Sequence, residues 1–175
     1  MPESIEKGVE PHGAVREHDS LEDEDGNSMF DGLRCVGQFM STLQTRLRFG
    51  QASRVPLRLL RLELEGDAVE CEWIARPPDF WDAEIPVHVS ARNESWQALD
   101  DALTVRQLIF SSIPQARRAI LRAYRRPQHP SGLIIEGKVT AGEEPVRVLS
   151  VTMRAKLNGF RFCIENGVLL PLLAD

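Results

Sequence analysis

Apolar and polar residues alternate on both sides of a short turn between Pro56 and Pro77. Leu60, Leu62 and Leu64 alternate with Arg61, Glu63 and Glu65. After Gly66-Asp67, Val69, Cys71, Trp73 and Ala75 alternate with Glu70, Glu72 and Arg76. Successive side chains of an extended strand point to opposite faces, so this pattern predicts a β-hairpin with one apolar and one charged face. A two-residue loop sets Leu64 opposite Val69, Leu62 opposite Cys71 and Leu60 opposite Trp73. On the other face it sets Arg61 opposite Glu72 and Glu63 opposite Glu70. A slip of one residue would move the leucines into water, so the apolar face fixes the register. The like-charge pair costs on the order of 0.2–1 kcal/mol, which is tolerable where that face meets water. An isolated hairpin is marginal, and a second layer has to cover its leucines.

The rest of the chain supplies candidates for that layer. In residues 29–49, Phe30, Leu33, Met40, Leu43 and Leu47 recur at near-helical spacing, with the better helix expected from Met40 to Phe49, Ser41 or Thr42 as N-cap and Gly50 as stop. Residues 93–111 read as the main helix, with Asn93 as N-cap. Its apolar stripe runs through Trp96, Leu99, Leu103, Val105, Leu108, Ile109 and Phe110, with Asp100, Asp101 and Arg106 on the opposite side. This helix is the expected lid of the hairpin. Residues 76–89 read as an ordered loop in which Ile85, Val87 and Val89 form a short extended piece.

Residues 114–126 fit both helical and strand spacing. Pro114 ends the preceding helix, and the clear strand Leu133 to Thr140 needs an antiparallel partner, so a strand is expected from Ala116 to Arg125. Residues 145–157 predict a further helix with the stripe Val146, Leu149, Met153 and Leu157, stopped by Asn158-Gly159. A last hairpin follows, Phe160 to Glu165 and Val168 to Leu172, about the turn Asn166-Gly167. These elements predict an α+β fold: an antiparallel sheet of about six strands in three hairpins, with two or three helices on one face and the other face open.

Composition refines the outline. The chain has 175 residues, 42% of them hydrophobic and 27% charged, which suits one globular domain. Residues 1–28 hold nine acids and two bases, −7 against a whole-chain charge of −5, so the remainder stands near +2. That segment is poor in large apolar residues and is expected to be a disordered acidic leader, with a single domain over 29–175. Met29 and Met40 are internal methionines at which a shorter chain would begin. No run of apolar residues is long enough to span a bilayer, and MPESIEKGVEPHG has neither the basic nor the apolar region of a secretory signal. Three widely spaced cysteines, Cys35, Cys71 and Cys163, suggest reduced thiols in the cytoplasm.

Candidate chemistry is sparse. No phosphate-binding glycine loop, nucleophile elbow, His-Glu-x-x-His or Cys-x-x-Cys occurs, so no cofactor and no metal is expected. Asp79, Asp82, Glu84 and His88, with Phe80 and Trp81 beside them, are the candidate acid–base group, and Trp81 is a further binding candidate. Arg117, Arg118, Arg122, Arg125 and Arg126 crowd ten positions around Tyr124, a pattern that suits phosphate and base stacking. Glu63, Glu65, Glu70 and Glu72 stand ready to neutralise them across the sheet. The favoured reading is a non-enzymatic protein-interaction or structural domain with a protein partner and no membrane. A nucleic-acid or other polyanion-binding module is second, and an enzyme using residues 79–88 is third.

Overall fold

The computed structural model describes residues 23–46, 54–77, 84–125, 132–142 and 148–173. In chain order these form α1 (Asp23–Arg46), β1 (Arg58–Glu65), β2 (Ala68–Ile74), α2 (Val87–Ser112), β3 (Arg118–Tyr124), β4 (Leu133–Thr140), α3 (Val151–Leu157), β5 (Phe160–Arg161), β6 (Cys163–Glu165) and β7 (Val168–Leu170). The expected acidic leader falls mostly on 1–22, outside the described residues. The helix α1 already begins at Asp23, upstream of the Met40–Phe49 stretch read as its better part.

The α+β class and the first two hairpins agree with the sequence, but the purely antiparallel sheet of six strands does not, and the expected strand Phe160 to Glu165 divides between two sheets. Five strands form one mixed sheet in the order β1-β2-β3-β4-β5, and β6-β7 form a separate two-stranded sheet. β2 and β3 run parallel, and the other neighbours are antiparallel. The cause is the connection between them. A single long helix carries the chain back along the sheet, so the next strand starts from the same end as the last.

The first hairpin pairs as expected over its inner part, Leu64 with Val69 and Leu62 with Cys71, with Arg61 opposite Glu72 and Glu63 opposite Glu70. Beyond Arg61 the register shifts at a bulge. The extra residue turns Leu60 out, 40% exposed, and brings Leu59 opposite Trp73 in its place. Val69, Cys71 and Trp73 on β2 and Ala119, Leu121 and Ala123 on β3 form the buried face. α2 lies over it with Leu99, Val105, Leu108 and Ile109 buried. Burial of such side chains contributes about 1.5–3 kcal/mol each.

α2 ends at Ser112, within one residue of expectation, but departs from it at the N-terminus. It starts six residues before Asn93, with Pro86 at its N-cap in extended conformation (φ −54°, ψ 136°). The expected extended piece over 85–89 is therefore helix from Val87 onward. A proline suits this position because the first amides of a helix have no intrahelical acceptor. α2 is also surrounded. α1 seats Phe39 and Leu43 near it, α3 packs on it through Val151 and Ala155, and β7 closes another side with Leu169 fully buried. Residues expected to face water are consequently buried, Asp101 completely and Arg106 to 8% exposure.

Burial of Asp101 demands a partner. Arg76, just past the end of β2 and itself buried, provides a two-pronged contact: its Nε donates to Asp101 Oδ2 at 2.8 Å and its Nη2 donates to Oδ1. Gln97 Nε2 donates to Oδ1 at 2.9 Å. Trp96, by contrast, heads the expected apolar stripe but stands 36% exposed.

The third helix is shorter than expected and turned. Ser150 caps it, its Oγ accepting from the Met153 amide at 3.4 Å. Val151 and Ala155 face inward. Met153 and Leu157 sit two positions away, about 200° around a helix of roughly 100° per residue, and are exposed, as is Leu149, which precedes the helix; Val146 lies outside the described residues. Asn158 and Gly159 (φ 85°) end the helix as expected. Phe160 of β5 then lies against Gly137 of β4; a methyl group there would stand 2.6 Å from the Phe160 ring. After Phe162 the chain leaves the sheet. The Asn166-Gly167 turn has φ of 52° and 83°, as a type I′ hairpin requires. The hairpin is fastened to α2, with Arg92 Nε donating to Asn166 O at 2.8 Å and the Leu169 amide donating to Ser95 Oγ at 2.9 Å.

Two outcomes follow from this packing. Asp101→Ala strands the Arg76 guanidinium in the core and is expected to destabilise the domain by about 3–5 kcal/mol in urea denaturation. The double replacement Arg76→Met with Asp101→Leu is expected to cost less than that single change. Burial raises the Cys71 thiol to about 12, and the charge of Glu72 adds to the effect. At pH 8 iodoacetamide is therefore expected to modify the exposed Cys163 in the native protein and to reach Cys71 only after unfolding.

Candidate functional site

The face of the sheet opposite α2 carries the charges. Registers of the five strands arrange them in rows. One row runs Arg61, Glu72, Arg122, Glu136, Arg161, with signs alternating strictly from β1 to β5. The next row toward the β1–β2 turn is Glu63, Glu70, Ile120, Lys138, and the last is Glu65, Ala68, Arg118, Thr140. Period-2 alternation in every strand produces this sorting, since the residues between them are the buried core positions.

Arg122 is the hub. Its Nη1 contacts Glu70 Oε1 and lies 3.0 Å from Glu72 Oε1, and its Nε is 3.4 Å from Glu136 Oε1. Glu136 is shared with Arg161 at 3.0 Å. Arg61 joins Glu63 at 2.5 Å and Glu70 at 3.3 Å, which resolves the unfavourable Glu63–Glu70 pair foreseen in the sequence. Tyr124 OH donates to Glu72 Oε1 at 3.4 Å. Partial burial works against the charge on Arg122, but its bonds to Glu70, Glu72 and Glu136 outweigh this and hold it firmly protonated. Burial and the charge of Glu72 raise the Tyr124 phenol.

At the turn, Arg118 Nη2 lies 2.6 Å from Asp67 Oδ1 and lowers that carboxyl below its usual range, as Arg61 does for Glu63. Both carboxyls therefore favour the folded state above pH about 4 and lose that preference as pH falls through their lowered values.

The arginine cluster is thus divided. Arg118, Arg122 and Tyr124 lie on the open face, on a strand that matches its expected span closely. Arg125 turns toward the helix layer, 3.4 Å from Glu94 of α2. Arg117 is exposed beside the β1–β2 turn, its amide donating to Asp67 O at 2.8 Å. Arg126 lies outside the described residues. Counting the open face, Arg58, Arg61, Arg118, Arg122, Lys138 and Arg161 meet Glu63, Glu65, Glu70, Glu72 and Glu136, with Asp67 in the adjoining turn. Cations and carboxylates balance.

Of the candidate acid–base group, Asp79, Asp82 and the neighbouring Trp81 lie outside the described residues. Glu84 is exposed just before α2, and His88 is exposed in its first turn. Among the described residues no group of three or more His, Cys, Asp or Glu is placed to hold a metal ion. No helix among them is long and apolar enough to cross a membrane.

Sequence reading missed Glu136 and Arg161 as members of the site. The alternation of Glu136 and Lys138 with Gly137 and Val139 within the strand 133–140 was the available signal for the first. It also missed a depression of about 370 Å³ at the turn end of the open face, where Ala68 and Ile120 interrupt the charged rows.

Because Arg122 holds three carboxylates together, Arg122→Met is expected to destabilise the domain by about 1–3 kcal/mol in urea denaturation. Arg118→Met, which releases only an exposed pair, is expected to cost less than about 1 kcal/mol. The chain matches no known family model, no curated protein and no solved structure, so the geometry above carries the functional reading by itself.

Proposed function

We propose that this chain is a protein-interaction domain that engages its partner through the open face of the five-stranded sheet. The observation that carries the reading is the charge balance of that face. Four of its arginines, Arg61, Arg118, Arg122 and Arg161, are already held by carboxylates on the same surface or its adjoining turn. A phosphate backbone gains affinity by meeting unspent cations and releasing its counterions, and this face offers few. A mosaic of fixed, alternating charges around a small apolar depression instead suits a protein surface, where complementary charges set register and orientation. Cross-linked side chains also lose little further freedom on binding, which favours recognition by a rigid face.

The reading is tested in two ways. Labelled single-stranded RNA and double-stranded DNA are expected not to bind the full chain at about 50 mM salt. Saturable binding that falls steeply as salt rises would overturn the proposal in favour of a polyanion-binding module. A photoreactive p-benzoylphenylalanine at Thr140, exposed on the open face, is expected to cross-link a protein in the host cell. The same group at Gln44, exposed on α1, is expected not to.

A further inference from the structure

The depression at the turn end of the open face has a charge pattern of its own. Its centre is Ala68 on β2 and Ile120 on β3. Acids flank it on the β1 side and bases on the β3–β4 side. Most of these charges are spent: Glu63 and Glu70 on Arg61 and Arg122, and Arg118 on Asp67. Glu65 and Lys138 are exposed and form no ion pair with another described residue. Among the described residues, one carboxylate and one ammonium without an ion-pair partner therefore face each other across an apolar floor.

They stand on the first and fourth strands of the sheet in neighbouring rows, three strand intervals across and two residues along, or about 16 Å apart between backbones. An extended peptide rises about 3.4 Å per residue and points every second side chain to the same side. Side chains at positions i and i+4 thus share a face about 13–14 Å apart, with i+2 midway between them, and the length of a lysine or glutamate side chain spans the remaining ~2 Å. Building on the protein-interaction reading, the geometry points to a binding groove for an extended peptide that crosses the strands. Such a peptide carries a basic residue toward Glu65, a small apolar residue over Ala68 and Ile120, and an acidic residue toward Lys138, in the pattern base-x-apolar-x-acid. Chain direction is set by the two charges, since the reversed pattern requires the reversed path.

The test uses three end-capped pentapeptides, Lys-Ser-Val-Ser-Glu, Lys-Ser-Val-Ser-Lys and Glu-Ser-Val-Ser-Glu, titrated into the full chain and followed by amide chemical shifts. The mixed peptide is expected to bind at least about fivefold more tightly than either like-charged one. Its shifts are expected to centre on Ala68, Ile120 and Lys138. In the Lys138→Glu variant the preference is expected to pass to the Lys-Ser-Val-Ser-Lys peptide. Lys138 is exposed, so this variant keeps the fold, and unchanged amide dispersion away from the groove confirms it. Equal affinities, shifts centred elsewhere, or no shifts at millimolar peptide would overturn the groove. The protein-interaction reading survives that result if Thr140 still cross-links a protein, and both fall if it does not.

Discussion

A buried ion pair between the end of one strand and the middle of one helix constrains everything around it. Arg76 and Asp101 are both withdrawn from water, and Gln97 completes the carboxylate's shell. Removing two charges from water costs several kcal/mol per ion, recovered only when geometry and hydrogen bonding are good. The pair is thus a weak source of net stability and a strong source of specificity. Slide α2 along the sheet by one turn and the guanidinium and carboxylate separate inside the core. The long crossover helix, free to settle at several depths on a leucine face alone, is held at one.

The same logic acts at lower stakes on the opposite face. There the ions are half in water, and each contact is individually modest. Their organisation matters more than their sum. Arg122 sits on the parallel neighbour of β2 and the antiparallel neighbour of β4, and its contacts reach Glu70, Glu72 and Glu136 across both junctions. A misregistered strand would set like charges side by side in at least one row. Core and surface therefore enforce the same alignment by different means, and consistency between such levels distinguishes a unique fold from an ensemble.

Local regularities in this chain were legible and higher-order ones were not. Alternation from Leu62 to Cys71 and the Asn166-Gly167 turn are properties of a few neighbouring residues, and both appear in the structure as read. The strand at 118–124 was recoverable because Pro114 and the following strand limited the alternatives. Leu60 was misread because a bulge is a single-residue insertion that strict alternation conceals. Asp101 and Arg106 were read as solvent-facing because the number of layers around α2 cannot be counted from α2 itself. The stripe of Leu149, Met153 and Leu157 had helical spacing, yet small residues two positions away, Val151 and Ala155, allow closer approach to α2 and took the inward side. For the site, the strand faces were legible, but which cations remain unpaired depends on registers between segments more than fifty residues apart.

The bulge at Leu60 has one more consequence. β1 is the outermost strand of the sheet, with no neighbour on its far side among the described residues. A long straight border of this kind invites another chain to add itself by backbone hydrogen bonding, the route to runaway aggregation. The bulge breaks that border into two short runs, and Arg58, Arg61, Glu63 and Glu65 place charge along it. A sheet left bare on one face is thereby guarded at its rim, so approach is steered to side chains and away from indiscriminate strand exchange.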